Sequence, residues 1–218
     1  MKVLIACEYS GAVRDAFIKQ GHDAMSCDLL PTDVDGPHYQ GSVTDILNDG
    51  WDLMIAHPPC TYLAVSGNRW LYNKDGSRNE ERWGNRREAL DFVRLLMNAP
   101  IERIAVENPV SVISSEIRKP DQIIQPWQFG DEAQKTTCLW LKNLPKLKPT
   151  KIVGKGEMVT YKSGNTMPKW YADAFKLPKA ERQKLRSKTF QGIADAMAEQ
   201  WGRKLCPLHQ LPRQLELI

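Results

Sequence analysis

Two side chains in this sequence stand where chemistry can be done. Cys60 follows the run Leu53-Met54-Ile55-Ala56 and, after His57, the pair Pro58-Pro59. A short apolar run behind Asp52 suits a strand covered on both faces. Two prolines end it abruptly, because neither can donate to a ladder and each fixes its own φ. The first residue released is a thiol on a stiff turn at the carboxyl end of a buried strand, where open α/β sheets place their sites. As a thiolate it is a nucleophile; the competing reading is the ordinary fate of a free cysteine, a small buried hydrophobe. The second residue is Glu107. Ile101–Val106 reads as another strand and delivers Glu107-Asn108-Pro109. A carboxylate there can hold or move a proton, or cap a helix that follows.

The surrounding segments read as the scaffold for those tips. Lys2–Cys7 is a β-type run followed by Glu-Tyr-Ser-Gly-Ala and then a helical pattern through Val13, Ala16 and Phe17. Strand, glycine turn, helix is the entry of a nucleotide-binding unit. A second strand, His22–Cys27, ends at Asp28, where a carboxylate can accept from a ribose hydroxyl pair. Pro31–Gln40 is a turn-rich connection, and Gly41–Ile46 leads towards the strand before Cys60. Asn68–Arg87 carries Arg69, Lys74, Arg78, Arg82, Arg86 and Arg87 with Trp70, Tyr72 and Trp83 among them, without apolar periodicity, and reads as a long functional loop. Ala89, Phe92, Val93 and Leu96 mark an amphipathic helix over Glu88–Met97 whose stripe is core packing. Leu144–Pro149 is an exit from the core, Lys179–Ser187 a basic helix, and 189–202 an amphipathic helix through Ile193, Ala194, Met197 and Trp201.

Composition narrows the classes. No apolar run is long enough for a membrane span, and Glu8 interrupts the first strand too early for a signal peptide. Five scattered cysteines without a Cys-x-x-Cys pair argue against a zinc site or disulfide framework, leave no metal expected, and suggest a reducing, cytoplasmic setting. The chain's net charge is +4, but Lys151–Lys188 alone holds ten Lys/Arg against three acids. That stretch suits a polyanion partner or a solvated helix face.

Asp52–Gly67 resembles the nucleophile motif of the DNA cytosine C5-methyltransferases, in which an apolar strand delivers a Pro-Cys pair. Glu107-Asn108 resembles the family's Glu-Asn-Val, and Gln128–Leu141 its Gln-x-Arg-x-Arg motif with Gln134 in place, although Thr136 and Cys138 stand for the arginines. Lys135 or an arginine of the 68–87 segment would then substitute. The resemblance implies an α/β fold, a Rossmann-like S-adenosylmethionine (SAM) methyltransferase three-layer sandwich with a mostly parallel sheet. It implies that Glu8, Ser10, Gly11, Asp28, Asp45 and Pro58 hold SAM, with Tyr9 standing for a family glycine and Ser42 for a family aspartate. It implies substrate contacts from Pro59, Asn108, Gln134, Lys135, Arg69 and Arg86, with DNA or a cytosine nucleotide as partner. Cys60 would add to cytosine C6 and Glu107, kept protonated by burial, would serve N3. The implied organisation is a SAM-binding and catalytic core over 1–143, a short basic insertion over 144–188 in place of a recognition domain, a returning helix over 189–206 and a tail over 207–218. Three alternatives stay open: methylation of a free nucleotide, amino methylation, and a SAM- or nucleic-acid-binding module without activity.

Overall fold

The computed structural model describes residues 1–203; residues 204–206 and the 207–218 tail lie outside them. In chain order the elements are β1 (Lys2–Ala6), α1 (Ala12–Lys19), β2 (Asp23–Asp28), β3 (His38–Gln40), α2 (Val43–Ile46), β4 (Leu53–Ala56), α3 (Glu80–Met97), β5 (Arg103–Asn108), α4 (Ile113–Glu116), β6 (Gln122–Ile124), β7 (Thr137–Lys142), β8 (Met158–Thr160), β9 (Thr166–Pro168), α5 (Lys169–Ala174), α6 (Lys179–Ser187) and α7 (Gln191–Trp201). Seven strands form one sheet in the order β3-β2-β1-β4-β5-β7-β6. The first five run parallel, β7 is antiparallel to both β5 and β6, and helices cover both faces. This is the Rossmann-like three-layer α/β sandwich with a mostly parallel sheet that the resemblance implied.

Every side chain of β4 is buried, as a central strand covered on both faces requires. Alternate residues feed two cores. Leu4, Met54, Ile104 and Trp140 pack with Val43 and Ile46 of α2 and with Leu90, Val93 and Leu96 of α3. Val3, Ile5, Leu53, Ile55 and Leu139 pack with Val13 and Phe17 of α1 and with Ile193, Met197 and Trp201 of α7. Full burial of each such side chain contributes about 1.5–3 kcal/mol. The chain winds from β1 outward to β3, then crosses back to β4. Strand order therefore reverses beside β1, which opens a crevice at the carboxyl ends of β1 and β4.

Several expectations need correction. Asn68–Arg87 is not one loop: a 3-10 turn spans Val65–Leu71, and α3 begins at Glu80 rather than Glu88. Asn79 caps it by accepting from Arg82 N at 3.0 Å, and Glu80 and Glu81 complement the helix N-terminus. The Pro31–Gln40 connection ends in the edge strand β3. Within Gly41–Ile46, Val43–Ile46 forms α2, with Ser42 as its N-cap. The 144–188 segment carries a β8–β9 hairpin and α5 besides the expected basic helix. No described helix is long and apolar enough to cross a membrane.

Candidate active site

The β4–β5 register pairs Ala56 with Val106; β4 ends there and the chain leaves the sheet at His57, whereas Glu107 and Asn108 close β5 and still pair with Leu139 and Cys138 of β7. Two hydrogen bonds then tie the tips together. Asn108, buried in the core, donates from Nδ2 to Pro58 O at 2.9 Å. His57 Nδ1 lies 3.1 Å from Glu107 Oε2. The Pro-Pro turn is thus anchored to the Glu-Asn tip from both sides. Cys60 follows, its carbonyl accepting from Leu63 N at 3.1 Å and Ala64 N at 2.9 Å, which winds the chain into a helical turn. Helix α3 braces that turn: Arg82 Nη2 donates to Thr61 O at 3.3 Å, Arg86 Nε to Tyr62 O at 2.9 Å, and Arg86 Nη2 to Asn68 Oδ1 at 2.7 Å.

The tips are also coupled electrostatically. Surrounding protein raises the Cys60 thiol, and the Glu107 carboxylate raises it further, against the opposing pull of Lys135 and Arg186. Burial alone would raise Glu107, but the His57 hydrogen bond and the Lys135 charge outweigh it, and the carboxyl lies below its ordinary value. A carboxyl kept neutral by burial is therefore not what the resting chain holds. Cys60 is the exposed cysteine among the described residues. Burial pushes Cys7 up to about 12 and Cys27 to about 11, and also raises Cys138, so those thiols are packing groups.

Around the β1–β4 crevice the expected cofactor residues divide. Glu8 turns inward: Oε1 accepts from Val13 N at 2.8 Å and Oε2 from Arg14 N at 3.2 Å, so its carboxylate caps α1. Ser10 Oγ donates to Glu8 Oε1 at 3.2 Å. Gly11 takes φ 74°, where a β-carbon would meet Arg14 and Val34 atoms at 2.6 Å. Asp28 ends β2, and its Oδ1 accepts from Leu30 N at 2.9 Å. Asp45 lies on α2 and accepts from Tyr39 Oη at 3.1 Å. Pro58 is buried at the root of the Cys60 turn. The glycine turn after β1 and the Asp28 carboxylate after β2 stand where open α/β sheets hold a nucleoside. Helix α6 lies across this edge. Lys184 Nζ reaches Asp33 Oδ1 at 2.8 Å, Tyr9 Oη meets Ser187 Oγ at 2.7 Å, and Lys135 Nζ donates to Lys188 O at 3.0 Å.

The expected substrate residues also divide. Pro59 is exposed beside Cys60, and Asn108 is the tie already described. Glu107, Lys135 and Thr137 line a small cavity of about 10 Å³ completed by Phe190. Gln134 turns to the hairpin, donating to Met158 Sδ at 3.0 Å, while its carbonyl accepts from Trp170. Arg69 lies 4.5 Å from the Trp70 ring at the surface, and Arg86 is buried in the brace. Sequence reasoning missed His57 and Arg186. His57 precedes the prolines directly, which was a usable signal; Arg186 lies far along the chain in a helix without an apolar face.

No family model and no curated protein matches the chain. Among solved structures it is similar to a protein described as a DNA modification methyltransferase encoded within a prophage of E. coli, with 16% identity and a TM-score of 0.49 over 71% of this chain and 52% of that one. It is also similar to a mutant of DNMT2 from Spodoptera frugiperda, with 14% identity and a TM-score of 0.38 over 70% of this chain and 54% of that one. The chain spans about half the length of these structures.

Proposed function

We propose that this chain is a SAM-dependent methyltransferase that methylates cytosine at C5, on DNA, through a covalent bond between Cys60 Sγ and ring carbon C6. The supporting observation is the double tie between neighbouring strands, Asn108 to Pro58 and His57 to Glu107, which fixes the Pro-Pro turn before Cys60 against the end of β5 that carries Glu107. Bound SAM would supply an electrophilic methyl group. Ser10, Gly11, Asp28, Asp45 and Pro58 would hold it at the β1–β4 crevice, with Glu8 shaping the turn rather than touching the ligand.

The chain's own residues do the rest. The Cys60 thiolate gives its electron pair to C6, and charge moves towards N3 and O2 of the ring. Glu107 donates a proton to N3, so the adduct stays neutral and C5 becomes nucleophilic. After C5 has gained its methyl, the C5 hydrogen leaves as a proton to a base, the Sγ–C6 bond breaks to return the thiolate, and N3 gives its proton back to Glu107. His57 holds Oε2, which leaves Oε1 for the ring. Lys135, next to the Thr136 that replaces a family arginine, would balance charge in its stead.

The resting proton distribution is the reverse of the reactive one: the thiol is raised and the carboxyl lowered. Each group's charge opposes ionisation of the other, so the pair titrates as a unit. A proton placed between Glu107 and N3 removes the carboxylate charge and eases ionisation of Cys60. Ring recognition and nucleophile activation are then one event.

Incubating the protein with tritiated SAM and either DNA or dCMP tests the reading. Label in DNA at cytosine C5 is expected; label only in dCMP would move the substrate to the free nucleotide. Label at an exocyclic nitrogen, or none in either, would overturn the proposed chemistry.

A further inference from the structure

Beside the Cys60 turn a groove of about 460 Å³ opens between that turn and the start of α3. Its walls are the rings of Tyr62, Trp70 and Tyr72, the cations Lys74 and Arg82 with one acid, Glu81, and the amides of Asn73, Asn79 and Asn85. Trp70 and Tyr72 are 55% and 52% exposed, so large flat rings are left in water at the mouth. Three cations lie over rings here: Arg82 at 5.2 Å from Tyr62, Arg69 at 4.5 Å from Trp70, and Arg78 at 4.7 Å from Trp83. Arg82 Nε is buried and has no hydrogen-bond partner.

Rings, cations and amides in one groove match the parts of a nucleotide. Bases stack on aromatic faces without regard to sequence, and phosphates take lysine and arginine. The volume suits one nucleotide rather than a duplex. An acidic peptide would satisfy the cations and leave the exposed rings unused. The groove is also tied to the reactive turn, since Tyr62 lines it and Arg82 donates to Thr61 O at 3.3 Å, directly after Cys60.

We propose that this groove is a second nucleobase site, which holds an unpaired nucleotide next to the target cytosine in the same strand. The word "target" rests on the function proposed above; the binding itself does not. Single-stranded or locally opened nucleic acid is then the preferred form, because a flanking base must leave its stack to enter.

A single-stranded oligonucleotide with 2-aminopurine beside a cytosine tests this without any methylation. Wild-type protein and the Cys60→Ser variant should both quench the fluorescence through stacking on Trp70. The Trp70→Ala/Tyr72→Ala double variant should lose the quench and at least tenfold in affinity. Lys74→Ala, at a fully exposed position, should lower the slope of log affinity against log salt by about one. Unchanged quench and affinity in the double variant would overturn the proposal. So would equal wild-type affinity for dCMP and for the oligonucleotide. Failure of the C5 reading would instead appear as absent methylation with binding and quenching intact.

Discussion

Cys60 and Glu107 hold their protons the wrong way round for the chemistry, and that has a measurable consequence. The reactive form, thiolate with neutral carboxyl, carries the same number of protons as the resting thiol–carboxylate form. Its share is therefore constant between the lowered carboxyl pKa and the raised thiol pKa. We expect kcat/KM to be flat across neutral pH, to fall in acid where both groups are protonated, and to fall in alkali where both are ionised. Glu107→Gln removes one titration and keeps an N–H donor towards N3. Its residual rate should climb with pH through the thiol's ionisation, which burial still holds above the ordinary cysteine value; a rate as flat as wild type would contradict the coupling. Exposure gives a simpler check. Iodoacetamide should alkylate Cys60 before Cys7, Cys27 or Cys138, as read by peptide mass mapping, and earlier labelling of Cys7 would place the accessible thiol elsewhere. Cys60 and Glu107, the two residues proposed to react, were singled out because each follows an apolar run. Their tie through His57 and Asn108 was not, because lateral contact between strand tips depends on register, which one strand's sequence does not carry.

At the scale of elements, α6 is held by charge rather than by packing. None of its residues is buried, and its anchors are Lys184 and Lys188 on Asp33 with Ser187 against Tyr9. The Lys184 hydrogen bond holds Asp33 below its usual range. Its contribution to docking is therefore present above the ordinary carboxylate pKa and lost as pH falls through the lowered one. Asp33→Asn should release α6 at neutral pH, seen as faster amide exchange over 179–187; unchanged exchange would mean that other contacts hold the helix. The same pairing bears on nucleic-acid binding. Neutralising Arg182, Lys184 and Arg186 together should lower the salt slope by about two rather than three, because Lys184 already neutralises Asp33. Helix α6 was legible to the residue, since its charge pattern is local. The first turns of α3 were not, because Glu80–Arg87 show no apolar face, and the Asn79 cap that starts them is a single polar residue. Strands β3, β6, β8 and β9 have three residues each, too short for alternation to register.

Across the whole molecule, the mostly parallel sheet and the core faces of α3 and α7 were legible, because a buried strand run and an amphipathic helix each announce their faces; the strand order was not. The exception is a buried charge. Arg14 of α1 is fully enclosed and reaches Asp15 Oδ1 at 2.8 Å, Ser26 Oγ at 3.2 Å, Thr32 Oγ1 at 3.3 Å, Val34 O at 3.3 Å and Asp35 O at 3.0 Å. It bolts the connection between β2 and β3 onto α1, beside the crevice where the cofactor is proposed to sit. From sequence it looks like one more surface cation on a helix, since its acceptors are mostly hydroxyls and carbonyls of a distant turn. Arg14→Ala should cost about 3 kcal/mol through stranded polar groups. For a chain of this size that lowers Tm by roughly 6–12 °C. A thermal shift under about 2 °C would mean that the turn closes without it.

The most direct test of the central claim is covalent trapping. DNA carrying 5-fluorocytosine cannot lose a proton from C5, so methyl transfer should leave the ring attached to the protein. With SAM present we predict an adduct on the Cys60 peptide, absent in Cys60→Ser. Active protein that methylates ordinary cytosine yet forms no adduct with the fluorinated base, or an adduct on any other residue, would contradict the account.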